Sequence, residues 1–419
     1  MKNRIWLFTA FLLFTTWASA QTYLLAPDRI FDGERMQEGW VVLVEGDRIT
    51  AVGKKASVKA PASAERLDLK GMTLMPGIIE GHAHLLLHPY NETSWNDQVL
   101  KESHAERVLR AGVHAEKSLM AGITTLRDLG TEGAGYVDKG IKDAIEKGVI
   151  PGPRLIISGP AIVASGSYGP KGFAPHVNPP LGAEPADGVD LVRVTRTQIG
   201  HGADMVKVYA DYRWGPHKEA RPTFSLEEIQ SIVRTAQSSG RYVAAHAATA
   251  EGMTRAIMAG VRTIEHGDGG NPAVFQLMVQ RGVALCPTIA AGEAISMYRG
   301  WKKGQDPDPD RVVQKKKSFQ QALEAGVIIS FGGDVGVFTH GRNVWEMELM
   351  VEYGMKPLAV LQSATSVNAD VFELDQEVGR IKRGLLADLI AVKGNPLQNM
   401  AAMYEVEMVM LGGELVKQP

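Results

Sequence analysis

Cysteine is almost missing from this chain: Cys286 is the only one in 419 residues. A single thiol excludes an internal disulfide, so the fold rests on its own core, and a chain of this length can bury a large one. Cys286 sits in the apolar run ValAlaLeuCysPro, the setting of a buried strand residue and not of a nucleophile. An excess of charge of either sign is missing too. Lys and Arg number 45 against 47 Asp and Glu, a formal charge of −2, which offers no basic surface to nucleic acid or an anionic membrane and leaves small molecules as the expected partners. No long apolar run follows the first 20 residues, so no membrane span is expected beyond them. A glycine-rich phosphate turn after the first β-type run is absent as well, which argues against a doubly wound open sheet.

The chain opens with Lys2 and Arg4, an apolar run over 5–18, and the small residues Ala18, Ser19 and Ala20. Together these read as a secretory signal peptide, residues 1–20, and predict a periplasmic or secreted protein; an uncleaved anchor is the alternative. From 21 to 74, short β-rich runs alternate with turns, and the runs 40–44 and 48–52 flank a Glu-Gly-Asp turn as a hairpin would. Similar runs recur at 385–392 and 407–416. The two terminal segments, 21–74 and 375–419, are therefore expected to meet in one β-sandwich.

Between them, residues 75–374 carry eight short apolar runs, at 74–80, 123–129, 154–158, 205–209, 242–247, 263–266, 283–287 and 327–331. Helical stretches such as 225–239 and 310–325 separate them, with apolar residues at three- and four-residue spacing. Eight such units in about 300 residues predict an α/β fold, a (β/α)8 TIM barrel flanked by the sandwich. The segment 159–188, rich in Gly and Pro and holding Tyr168, Lys171, Phe173 and His176, reads as a long loop over the barrel mouth, hence a lid.

The stretch MetProGlyIleIleGluGlyHisAlaHis places His82 and His84 one residue apart at the end of the first run. On a strand, residues i and i+2 face one side, so both imidazoles are expected to enter one cavity. Further ligand-type residues stand at the same end of later runs: Lys207, His246, His266 and Asp334. That is the end at which such barrels hold their active sites. The other histidines, at 88, 104, 114, 176, 201, 217 and 340, fall in expected loops and helices, where solvated or capping roles are the default.

The motifs PGIIEGHAHL, LysValTyr at 207–209, AAHA ending at Ala247, IEHG ending at Gly267 and GGD ending at Asp334 together resemble the amidohydrolase superfamily. The tail SATSVNADVFEL followed by GRIKRGLLADLIAV resembles its return from barrel to sandwich. Within the superfamily the chain is similar to the imidazolonepropionase-like and Xaa-Pro dipeptidase-like branch. The resemblance implies two divalent metal ions, zinc being the expected element, one held by His82, His84 and Asp334 and the second by His246 and His266. Lys207 would bridge them as a carboxylated lysine. It implies hydrolysis of an amide by a metal-bridging hydroxide, with Asp334 as general acid and base. Tyr209, two residues beyond Lys207, is expected to donate to the oxyanion, with core packing as its competing role.

Imidazolonepropionases lack the bridging lysine, so Lys207 favours a dipeptide or an N-acyl amino acid as substrate. Thr249 stands where deaminases of the superfamily carry a glutamate, which counts against deamination. Arg213, His217, Lys218 and Arg342 are the candidates for gripping a substrate carboxylate. A cyclic-amide or lactone hydrolase is the rival enzyme class, and a non-catalytic scaffold that kept the fold is the other alternative. Relatives of this kind are often homo-oligomers, which the resemblance extends to this chain as an expectation.

Overall fold

Two hydrophobic periodicities divide the chain, and the structure follows them. The computed structural model describes residues 21–174 and 176–419; the expected signal peptide, 1–20, lies outside the described residues. The N-terminal strands Thr22–Phe31, Met36–Glu38, Trp40–Glu45, Arg48–Lys54 and Glu65–Pro76 join the C-terminal strands Leu389–Lys393, Val406–Leu411 and Glu414–Lys417 in one eight-stranded sheet. Glu65–Pro76 lies at its centre, parallel to Thr22–Phe31 on one side and antiparallel to Leu389–Lys393 on the other. The two sheets of a sandwich are thus hydrogen-bonded here into a single sheet, bent until Arg48 bridges Leu386. Period-2 alternation serves two cores at once. Leu389 and Ala391 pack with Tyr23, Leu25, Val44 and Met408 inside the bend, while Ile390 and Val392 join the core of the central domain.

The central domain is TIM-barrel-like. Parallel pairing gives one arc of Ile78–Ala83, Ile123–Asp128 and Arg154–Ile157, and a second that runs from Val206–Tyr209 through Val243–Ala247 and Thr263–His266 to Ala284–Cys286. A few backbone hydrogen bonds link the arcs on both sides, among them Asp204 N–H to Ile157 O at 2.8 Å, then Ser330 N–H to Leu285 O at 2.9 Å and Gly81 N–H to Phe331 O at 3.1 Å. The eighth expected strand, 327–331, is not a regular strand; it makes the isolated bridge Leu285 to Ile329. Close approach of backbones accounts for this. A Cβ on Gly332 would stand 2.6 Å from Cys286 Sγ and 2.7 Å from His82 N, so the chain crosses here where only glycine fits. Asn368, in the segment leaving the barrel, donates to both Ile79 O and Phe331 O at 2.8 Å and ties the first and last runs together.

The expected start of the barrel at residue 75 falls inside Glu65–Pro76, which still pairs with Leu389 at Pro76; the barrel begins at Ile78. The apolar run continues across the junction because both sides of it are buried, which hides the boundary from the pattern. The stretch 407–416 is two strands, parted at Gly412 and Gly413. Helix Leu226–Gln237 starts with a capping box between Ser225 and Glu228, and helix Asp310–Ala325 lies where expected. The segment 159–188 is not wholly irregular: Ile162–Val163 and Glu184–Pro185 pair in parallel. Among the described residues no helix is long and apolar enough to cross a membrane.

Asp388 pins the sheet to the barrel. It is buried, accepts Arg154 Nε at 2.7 Å and Nη2 at 3.2 Å, and accepts Gly412 N–H at 2.7 Å. Asp388→Ala leaves the arginine and an amide without their acceptor and is expected to cost about 2–3 kcal/mol, with Asp388→Asn costing less. Urea unfolding of both variants checks this.

Candidate metal centre

The ligand-type residues do converge. His82 ends the strand Ile78–Ala83, and Asp334, beyond the eighth run, donates its N–H to His82 O at 2.8 Å. Asp334 Oδ1 lies 3.7 Å from His82 Nε2 and 3.4 Å from His84 Nε2. The His82 ring centroid is 5.1 Å from that of His266, which is 4.5 Å from that of His246. Donor atoms of His82, His266 and Asp334 all lie within 4.8 Å of one another. Lys207, in Val206–Tyr209, pairs in register with Ala244 while Tyr209 pairs with His246, so strand geometry sends both side chains toward this group.

Three of the histidines are oriented by groups that hold the other ring nitrogen. His82 Nδ1 is 2.8 Å from Glu265 Oε2, His84 Nδ1 is 3.0 Å from Gly130 O, and His266 Nδ1 is 2.8 Å from Thr288 Oγ1. Each ring thereby directs Nε2 inward, as metal-ligating histidines do. His246 is held differently, by face-to-face stacking on Tyr209 at 4.5 Å. Lys207 Nζ and Asp334 Oδ1 are buried without a hydrogen-bond partner, an arrangement that costs stability unless something else engages them. Imidazole nitrogens, a carboxylate oxygen and a lysine with a free Nζ fit a divalent cation site.

Electrostatics support this. Burial pulls His82 down to about 4, and burial with Lys207 nearby pulls His246 to about 3, so both are neutral at pH 7, the form that ligates. Burial pushes the other way on Asp334, yet His82 and His84 overcome it and hold the carboxylate at about 2. His84 is depressed by burial but raised more by Asp334, to about 9: the carboxylate favours positive charge at this point. Burial brings Lys207 down to about 8.

The expected substrate-carboxylate residues are not drawn in. Arg213, His217, Lys218 and Arg342 are all exposed. The first three belong to the hairpin of Asp211–Arg213 and Ala220–Pro222, and Arg342 lies 5.4 Å over the Trp345 ring. The lid residues part company: Tyr168 is buried against Tyr209, Tyr212 and Trp95, whereas Lys171, Phe173 and His176 are exposed. Thr249 is a helix cap, accepting Gly252 N–H at 3.0 Å and donating to Asp211 Oδ2 at 2.7 Å. Three histidines expected to be solvated are buried instead. His88 lies 2.8 Å from Glu102, and His114 and His340 stack at 4.2 Å. Cys286 is a core residue, its thiol pushed well up by burial.

Several residues of the site went unread in the sequence. Glu265 and Arg127 form a fully buried pair at 2.9 Å behind His82. Glu132, on the loop after Ile123–Asp128, lies 3.9 Å from His84 Nδ1. A detectable signal existed for Glu265, since a glutamate inside an apolar strand needs a partner. Of the six non-glycine residues with positive φ among the described residues, Glu132, His266, Thr288 and Asp334 all stand here, a concentration of backbone strain typical of functional sites.

Two outcomes follow. Lys207→Ala keeps the barrel folded but lowers metal affinity; Glu265→Gln lowers it by about 10–100-fold through a loosened His82 and, by leaving Arg127 buried without its anion, also costs about 3–5 kcal/mol of stability, so metal titration with elemental analysis is paired with urea unfolding. In metal-free protein, His82 and His246 have pKa values below the ordinary 6.5, so their contribution to stability is present above 6.5 and is lost as pH falls toward 4. His84, raised above 6.5, contributes a constant amount across that window. Buried carboxylates raised above their ordinary range, Glu80 to about 7 and Glu346 to about 8, act in the opposite sense over that window. The imidazole contribution is therefore read as the melting-temperature difference between wild type and His246→Asn, which is expected to move against wild type from pH 6.5 to about pH 4; a difference that does not change with pH would contradict a neutral, buried imidazole.

Comparison with known proteins agrees with this geometry. The pattern of the Amidohydrolase family matches residues 73–416. The ochratoxinase of Aspergillus niger is 31% identical over 431 residues, covering 93% of this chain and 85% of that protein. The imidazolonepropionase of Streptomyces coelicolor is 25% identical over 367 residues, covering 83% and 84%. A crystal structure of a Xaa-Pro dipeptidase with bound methionine in its active site superposes with a TM-score of 0.83 at 30% identity, covering 95% of this chain and all of that one. With a matching pattern across barrel and sheet, and ligand-type residues gathered at one end of the strands, the chain belongs to the Amidohydrolase family, as a hydrolase of amide bonds.

Proposed function

We propose that this protein is an exported, two-metal amidohydrolase that cleaves the amide bond of a dipeptide or an N-acyl amino acid. The observation that carries it is the meeting of His82, His84, His246, His266 and Asp334 around the unpartnered, buried Nζ of Lys207. His82, His84 and Asp334 would hold one ion, and His246 and His266 the other. Burial lowers Lys207 to about 8, so part of it is the free amine at neutral pH, the form that takes up carbon dioxide and becomes an anionic bridge. Zinc suits the nitrogen-rich donor set. Divalent ions bound there supply Lewis acidity to a carbonyl oxygen and lower the pKa of water to about 7.

The chain's own groups do the rest. Asp334, held ionised by His82 and His84, accepts a proton at Oδ1 and returns it to the leaving amine. Tyr209, its ring fixed against His246 and Tyr168, offers its hydroxyl to the oxyanion. Tyr168, from the segment expected to be a lid, packs against Tyr209 and would help to exclude water there. The exposed cations Arg213, His217 and Lys218, on the hairpin that carries Tyr212, would have to turn inward to grip a substrate carboxylate. Likeness to a Xaa-Pro dipeptidase and an ochratoxinase supports an amide with an amino acid on one side. The leader at 1–20 supports export, which places the substrates outside the cytoplasm.

Zinc-loaded protein is to be assayed against dipeptides, N-acyl amino acids, cyclic amides and lactones. Turnover confined to the linear amides is the expected result, and ring opening alone would overturn the substrate assignment. Asp334→Asn is expected to lower kcat by roughly 10²–10⁴-fold with KM little changed; a wild-type rate would remove Asp334 from its role.

A further inference from the structure

Glu132 is a carboxylate with an unanswered charge. It is 3% exposed, and burial of an ionised carboxylate is costly unless a cation pairs with it. Among the described residues no lysine or arginine lies within 4.0 Å of it; its one ionic neighbour is His84 Nδ1 at 3.9 Å, which already faces Gly130 O at 3.0 Å. Arg107 is near, but it is committed to main-chain carbonyls, donating to Glu132 O at 2.8 Å, Thr131 O at 3.1 Å and Leu86 O at 3.1 Å. One carboxylate oxygen, Oε2, accepts Trp95 Nε1 at 2.8 Å and the Tyr168 hydroxyl at 2.7 Å. The other, Oε1, is on the His84 side and is not claimed by either.

The surroundings are aromatic. Tyr168 lies 5.2 Å from Trp95, 4.8 Å from Tyr209 and 4.9 Å from Tyr212, and Tyr209 stacks on the metal-site residue His246. A buried carboxylate held by the indole N–H and a phenol hydroxyl of an aromatic cluster, beside the candidate metal centre, is suited to an organic cation. Its anionic charge repels a carboxylate and gains nothing from a neutral acyl group.

We propose that Glu132 binds the free α-ammonium of the substrate and makes the enzyme select dipeptides with an unblocked N-terminus over N-acyl amino acids. This rests on the amide-hydrolase reading above and narrows it. Tyr168, from the segment 159–188, donates to Oε2 and would leave Oε1 to the ammonium. Glu132 is a specificity residue, in contact with the substrate but outside the reacting bond.

The test compares a dipeptide, its N-acetyl derivative and its des-amino analogue, with zinc-loaded wild type and Glu132→Gln. Glutamine keeps an acceptor for Trp95 and Tyr168 and removes only the charge. For wild type, kcat/KM for the free dipeptide is expected to exceed that for either amine-lacking compound by about tenfold or more, the scale of one hydrogen bond to a charged group. In Glu132→Gln the dipeptide is expected to lose that advantage while the other two stay within about threefold of their wild-type values. An equal fall for all three would make Glu132 a structural latch and overturn the proposal. The wild-type comparison needs no variant, so a misfolded Glu132→Gln leaves it decisive: equal rates with and without the amine overturn the proposal, and a preference for the free amine supports it. Turnover of the N-acetyl compound alone overturns this assignment and spares the hydrolase; turnover of none overturns both.

Discussion

The carboxylate of Glu265, shut between a guanidinium and an imidazole, is the contact on which the site is built. Arg127 holds one of its oxygens at 2.9 Å and His82 Nδ1 lies 2.8 Å from the other. Both carboxylate and guanidinium are wholly buried. Such a pair is poor evidence of net stability, since desolvation offsets the attraction, but losing one partner strands the other at a cost of about 3–5 kcal/mol. Its value here is orientation. The same arginine donates to Gly81 O at 2.6 Å, next to His82, and lies 4.1 Å from the ring centroid of Phe372 in the segment leaving the barrel. One cation thus ties a ligand, its strand and the exit segment into a single rigid unit.

Carboxylates around the centre are separated into different roles by their surroundings. Glu80 accepts two backbone amides and Asn343, yet burial pushes it up to about 7. Glu346 accepts the amides of Ile289 and Ala290, and burial takes it to about 8. These two hold loops in place with charge that is easily given up. Asp334 is kept ionised by its histidines at about 2. Environments that push like groups apart in this way let neighbouring carboxylates keep different charge states at one pH.

Much of this was legible in the sequence, for a physical reason. Residues at the C-terminal ends of parallel strands point into one mouth, so His82, His84, Lys207, His246, His266 and Asp334 could be placed from periodicity and motif alone. The paired termini were legible from their short alternating runs. Of what escaped, Glu265 and Arg127 lie in strands, where the period shows the face but not the partner; the loop residues show neither. Glu132 sits in a loop at φ +48°, and nothing in a loop sequence tells which side chain turns inward. His88 and His340 are likewise in loops, while His114 is on helix His104–Met120; the burial of all three depends on contacts made only by folding, with the carbonyls of residues 85 and 87 and with Glu102. The eighth run was misjudged as a strand because its apolar residues look alike whether the backbone is paired regularly or, as beside Gly332, squeezed past a neighbour.

The sheet that flanks the barrel has its centre in Glu65–Pro76, whose two neighbours come from opposite ends of the chain. Hydrogen bonds at the heart of that layer therefore cannot form until more than three hundred residues have been delivered after it, which makes it among the most non-local pairings in the molecule. During synthesis, one edge of that strand stays open and vulnerable to the wrong partner. A protein built this way tolerates interruption badly. Its two ends act as a clasp, and the barrel is held shut against its companion only when the last strands arrive.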